Sequence, residues 1–346
     1  MSAVQTTKRQ DFWDCVKGFA ILSVVLGHGF RIPHDFVYAY HLALFYFVSG
    51  WFYREEKYGD YPELNVAARV KSCWPKFVVY SFFLIVLHFL LQDFLEGMLN
   101  ERYSLRIAIC ACFDVTLFRI KDLTGAMWFV PQIVFSSTLF GIIVWLARRS
   151  WCRKKKHVVI ITLGFLFGAI GCVFSYFGIE LAGTYYLQFV MKAMPIYLLA
   201  YYCRLAVQDR FRNYLRLPAA IFCACLIIAC CYFKTGMGVN AGPLSFYGLG
   251  AAGIYLILYL CKYVEKVGIL RTVFAALGRY SFEIMAWHFL IYYLFNAVIN
   301  QIGHLPQDVF SLNNYQQLWF LQLPVLLGLP CVIGFGYRKL REVLIQ

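Results

Sequence analysis

Apolar residues recur along this chain in runs close to the roughly 20 residues that a bilayer-crossing helix needs, and short polar breaks separate them. The runs predict helices near 13–30, 36–53, 76–92, 127–147, 158–178, 186–206, 217–233, 243–261, 280–299 and 318–337. A further run, Ile107 to Phe118, is short for a crossing. Tyr61 to Trp74 (YPELNVAARVKSCW) mixes polar and apolar positions as an interfacial helix does, and Pro62 suits its first turn. The longest break, about 300–317, is loop-length and leaves no room for a soluble domain. The pattern therefore predicts an all-α fold: a polytopic membrane bundle of about ten transmembrane helices, forming a single integral-membrane domain over residues 1–346.

Composition agrees with that pattern. The 346 residues are 61% hydrophobic and only 14% charged, where a soluble domain approaches a quarter charged. No small-residue cleavage site follows the first run, so it is expected to persist as a helix rather than leave as a signal peptide. The formal net charge of +14 invites a nucleic-acid reading, but Lys and Arg accumulate at the cytoplasmic ends of membrane helices. Arg148, Arg149, Arg153, Lys154, Lys155 and Lys156 mark one such cytoplasmic loop. With the N terminus also inside, an even number of crossings must precede that loop, which makes 107–118 re-entrant or interfacial on the outer side. This arrangement puts 24 of the 32 basic residues inside and six outside (Arg31, Arg102, Arg106, Arg119, Lys121 and Lys234), with Lys17 and Lys192 within spans. Both termini are then cytoplasmic, and nucleic acid is not an expected partner. Most of the thirteen cysteines sit in apolar runs without metal-ligand spacing, and act there as small buried hydrophobes.

Chemistry concentrates in the first run, DFWDCVKGFAILSVVLGHGF. Ionisable groups inside a bilayer are costly and rare unless they line a cavity or pathway. Lys17 and His28 are eleven residues apart, close to three full turns, so they share one face about 16 Å apart along the axis. Asp14 falls on the same face. Asp14 and Lys17 either hold an anionic ligand or form an i,i+3 ion pair that pins the helix at the interface.

Four segments resemble the acyltransferase 3 family of integral-membrane O-acyltransferases, in particular its fucose 4-O-acetylase-like members. DFWDCVKGFAILSVVLGH resembles the family's first helix, with a basic residue eleven positions before a histidine. FVYAYHLALFYFVSGWFYR is similar to its FHMPLFFFISGY signature and places His41, Ser49 and Gly50. AMWFVPQIVF resembles the start of a middle helix, with Trp128, and LGRYSFEIMAWHF resembles LGRNSLxIYLLH, with Gly278, Ser281 and His288. The chain departs from the family at Lys17, where many members have Arg, and at Ala43, where Pro is usual.

The resemblance implies acyl transfer from a cytoplasmic acyl-CoA, acetyl-CoA in the simplest case, to a hydroxyl of a cell-envelope, capsular or exopolysaccharide sugar or a lipid-linked precursor. It implies a multi-pass protein of the plasma or inner membrane with no cofactor besides the donor substrate. A sugar hydroxyl needs a base within hydrogen-bond reach, and imidazole suits the task; His28 is the candidate base, and Asp14, at the other end of the stripe, is also assigned to the catalytic set. Lys17 is one candidate donor ligand. Arg69 and Lys71 resemble the family's basic pair before the third helix, and are either donor ligands or simply topology signals. His41, Trp128, Lys192 and His288 are candidates for acceptor binding or for lining the chamber. Trp128 also fits an aromatic belt, while Lys192, Glu283 and His288 also fit structural pairing. Two histidines alone do not supply the three or four ligands a metal site needs, so no metal is expected. A transporter or flippase of a glycan precursor is the competing function, weakened by the lack of paired Gly/Pro-broken helices in corresponding halves.

Overall fold

A computed structural model describes residues 3–30, 34–95, 99, 101–119, 122–149, 152–179, 187–233, 241–303 and 316–345. Its helices are α1 (Ala3–Gly29), α2 (His34–Tyr38), α3 (His41–Trp51), α4 (Glu55–Tyr58), α5 (Pro62–Leu91), α6 (Leu105–Thr116), α7 (Phe129–Ala147), α8 (Lys156–Tyr176), α9 (Leu187–Lys192), α10 (Met194–Val207), α11 (Leu217–Tyr232), α12 (Gly250–Val264), α13 (Gly268–Arg279), α14 (Ser281–Gly303) and α15 (Trp319–Ile345). No strand occurs among the described residues. Among the described residues, seven helical stretches are long and apolar enough to cross a membrane: Pro62–Leu91, Leu123–Ala147, Arg153–Tyr176, Leu187–Val207, Ser245–Val264, Ser281–Gly303 and Trp319–Leu340. The protein is a multi-pass membrane protein built as a polytopic helical bundle. The other three predicted crossings are helical too, as α1, the α2/α3 pair and the shorter α11.

Local chemistry explains where the elements depart from the hydrophobic pattern. The interfacial stretch at 61–74 is no separate helix: it continues through Pro75 into the third crossing as one helix that starts at Pro62. The 186–206 run breaks at Ala193, and Pro195 follows in the first turn of α10, where its missing N–H costs nothing. The 36–53 run breaks at Ala39 and Tyr40. Helix α6 has 12 residues, about 18 Å, too short for a hydrocarbon core of about 30 Å. Helix α13 occupies what the hydrophobic pattern leaves as a loop. Of the six basic residues assigned outside, Arg31, Lys121 and Lys234 lie outside the described residues, as does most of the 300–317 loop.

Contacts divide the chain into two compact units. Unit 1 comprises residues 1–37, 78–127 and 263–346. Its centre is α1, against which α13 and α14 pack, with α15 on α14. The approach of α13 to α1 depends on two glycines. A Cβ on Gly18 would lie 2.1 Å from the carbonyl oxygen of Phe274, and one on Gly278 would lie 1.8 Å from that of Asp14. Phe19 and Phe274 stack beside them at 4.0 Å. Small residues that let backbones meet are a usual basis for helix association in membranes.

Unit 2 comprises residues 38–77 and 128–262. Helix α3 packs on α10 and α7, and α8 packs on α7, α9 and α10. A stripe of glycines on α8 accepts the broken helix: a Cβ on Gly164 would meet Leu198 at 2.5 Å, one on Gly168 would meet Pro195 at 2.5 Å, and one on Gly171 would meet the backbone nitrogen of Lys192 at 2.4 Å. Polar ties complete the packing. The Tyr197 hydroxyl donates to Ser49 Oγ at 2.8 Å, and Asn65 Nδ2 donates to the Ser137 carbonyl at 2.9 Å. Among the described residues, none of the thirteen cysteines is in a disulfide.

Candidate active site

In unit 1, α1 is one unbroken helix through Asp14, Lys17 and His28, so Lys17 and His28 are about 16 Å apart along its polar stripe. At one end Lys17 Nζ and Asp14 Oδ1 form an ion pair at 2.6 Å, with the carboxylate side chain 7% exposed and the lysine 32%. The pair puts the cation where water or a ligand reaches it and the acid where neither does. At the other end His28 is half-buried, its ring 5.5 Å from that of His288 and 5.0 Å from that of Phe289.

His288 is fully buried, and its tautomer follows from its neighbours. Nδ1 faces two carbonyl oxygens, of Ile284 at 3.0 Å and Met285 at 2.9 Å, and therefore carries the proton. Nε2 is left with its lone pair, and it finds no partner among the described residues. An unmet buried acceptor costs roughly 1–3 kcal/mol, so a site that keeps one has a use for it. Tyr292, one turn further along α14, donates its hydroxyl to the Val25 carbonyl at 2.9 Å, and a Cβ on Gly29 would lie 1.3 Å from that hydroxyl. Gly29 thus lets α14 close on α1 beside His28.

Unit 2 holds the remaining sequence candidates. His41, 3% exposed, opens α3 with its ring edge-on to Tyr38 at 4.7 Å. Trp128 stands just before α7, with its ring 6.2 Å from Phe189. Lys192, 1% exposed, ends α9; its ammonium donates to the Ala241 carbonyl at 2.7 Å and lies 4.8 Å over the Phe246 ring. The Lys192 carbonyl in turn accepts from the Tyr247 hydroxyl at 2.9 Å. The lysine therefore ties the α9/α10 break to the segment leading into α12. Arg69 is half-buried on α5 and Lys71 exposed, and neither makes a hydrogen bond or ion pair with the described residues. In unit 1, Glu283 is buried and accepts from the Tyr80 hydroxyl at 3.5 Å. Among the described residues no three His, Cys, Asp or Glu side chains are placed to hold a metal ion.

Several residues that matter here do not stand out in a search for chemistry in the sequence. Gly18 and Gly29 are of this kind. Tyr292 is another, one aromatic among many. Glu55, Arg148, Asp60 and Lys156 form a cluster in unit 2 that the sequence shows only as loop charge.

A helical membrane bundle whose first helix carries an acid, a base and an imidazole, with a second imidazole packed on the last, defines an integral-membrane enzyme or carrier of polar substrates. A family model described as an acyltransferase domain matches residues 10–337, nearly the whole chain. The chain belongs to the acyltransferase 3 family and is an enzyme that transfers acyl groups. No curated protein and no solved structure matches it.

Proposed function

We propose that the protein is an O-acyltransferase of the plasma or inner membrane that moves an acetyl group from acetyl-CoA to a hydroxyl of a cell-envelope, capsular or exopolysaccharide sugar, with His28 as general base. The observation that carries this reading is the pair of imidazoles at one end of the α1 stripe, 5.5 Å apart. His28 is partly accessible and takes the proton of the attacking hydroxyl; His288, locked by its two carbonyls, offers the Nε2 lone pair to orient the acceptor. Asp14 holds Lys17, which serves the anionic donor together with Arg69 and Lys71. In unit 2, His41 and Trp128 contact the acceptor, while Lys192 acts through the helix break that it ties.

The reaction forms an ester bond to the sugar oxygen and breaks the thioester; the hydroxyl proton passes to His28 and from there to the departing CoA thiolate. The donor is itself a substrate, and no further cofactor enters. Mass spectrometry of envelope glycans from cells with and without the gene tests the proposal. An acetyl increment present only with the gene supports it. Identical glycans, with a glycan precursor retained on one side of the membrane instead, would favour a carrier.

A further inference from the structure

Unit 2 contains a polar cavity of about 410 Å³ lined by Asp60, Arg148, Arg153 and Lys156, within the roughly 300–1,000 Å³ of ligand pockets. Two of its three cations are fixed. Arg148 donates from Nε and Nη2 to the two Asp60 oxygens at 2.8 and 2.6 Å, and from Nη1 to Glu55 Oε1 at 2.9 Å. Lys156 Nζ donates to that same Glu55 oxygen at 2.9 Å, and the Tyr201 hydroxyl donates to the other. Gly59 makes room for this: a Cβ there would lie 2.7 Å from the Glu55 carbonyl oxygen and 2.8 Å from Arg148 Cδ. Arg153 is exposed and makes no hydrogen bond or ion pair with the described residues.

Both Asp60 oxygens are already taken by Arg148, so the charge left uncommitted in the cavity is positive. Rigid, paired guanidinium and ammonium groups beside an unpaired arginine suit a ligand with several phosphate oxygens. The positive-inside rule puts this basic loop on the cytoplasmic side, where acyl-CoA is made. Helix α5 begins two residues after Asp60, and the half-buried, unpaired Arg69 lies about 10 Å along it.

From this we infer that the cavity is a phosphate subsite for the nucleotide end of the CoA donor, with Arg153 as its uncommitted contact. The inference rests on the acyl-CoA reading above and adds to it the place where the nucleotide is gripped. An anionic lipid headgroup shares the phosphate chemistry, and the test separates the two sources.

Full-length protein is purified into phosphatidylcholine nanodiscs, and binding of CoA and of pantetheine, which lacks the phosphates, is measured by calorimetry. The variants are Arg153→Glu and, as a charge control on another basic loop, Arg210→Glu. Arg153 is exposed and unpaired, so its replacement leaves folding intact, which size-exclusion profiles verify. Arg153→Glu is expected to weaken CoA binding by about tenfold or more, the scale of one charge-assisted contact, with pantetheine binding and the Arg210→Glu variant unchanged. Equal CoA affinity in wild type and Arg153→Glu overturns the inference and leaves the donor reading standing. If Arg153→Glu instead lowers only retention of added phosphatidylglycerol, the cavity is a lipid site and the inference is again overturned. Wild-type protein that binds no CoA overturns both.

Discussion

At Gly278 the missing side chain decides whether two helices can touch. The Asp14 carbonyl oxygen stands where a Cβ would be, 1.8 Å away, and Gly18 is in a similar position against Phe274. The segment LGRYSF marks Gly278 as part of a motif, but a sequence does not carry the distance that explains it. Ionisable residues behave oppositely. Asp14, Lys17 and His28 were legible because a charge in an apolar run is costly, and the pairing of Asp14 with Lys17 follows from their i,i+3 spacing. The locked tautomer of His288 was not legible, since it depends on which carbonyls its rotamer meets. Gly278→Ala should separate α13 from α1 and lower the melting temperature of the purified protein, at a cost of about 1–3 kcal/mol typical of overpacking. Unchanged melting would mean that the two backbones do not meet there.

Among the elements, the long apolar helices could be read directly because a crossing needs an uninterrupted apolar run. Helix α13 escaped because only one of its faces is buried: Ala275, Leu277 and Gly278 turn inward, while Ile269 and Val273 are exposed. The break at Ala193 had a signal in Pro195, which suits a helix start, yet an apolar run on both sides hides it. The short helix α4 is held by charge instead. Burial raises the pKa of the Glu55 carboxyl, but hydrogen bonds from Tyr201, Lys156 and Arg148 outweigh that and hold it below its ordinary value. Such a group stabilises the fold fully above its unfolded pKa of about 4.3, and the contribution is lost as pH falls through the lower folded value. Melting of wild type against Glu55→Gln should therefore show a gap that is constant near neutrality and closes only below about pH 4.3. A gap that persists undiminished into stronger acid would contradict the assignment.

For the whole molecule, the class of fold and the acyltransferase family were both legible, the first from hydropathy and the second from four motifs between residues 11 and 289, within the 10–337 that the family model matches. The division of contacts into two units was not, because one helix, α5, contributes its first half to one unit and its second half to the other. The 24 to six distribution of basic residues that ten crossings give predicts sidedness. In a background lacking accessible native cysteines, a cysteine at position 155 should react only from the cytoplasm and one at position 303 only from outside. Reaction of both from the same side would contradict ten crossings.

If His28 takes the proton from the attacking hydroxyl, the loss must show in kcat of purified, correctly inserted His28→Ala. Removal of a general base typically costs about 10²- to 10⁴-fold, so kcat should fall by at least about 10² while the protein still binds CoA. Retention of more than about a tenth of wild-type kcat would mean that another group takes the proton, because no base of that worth could have been removed.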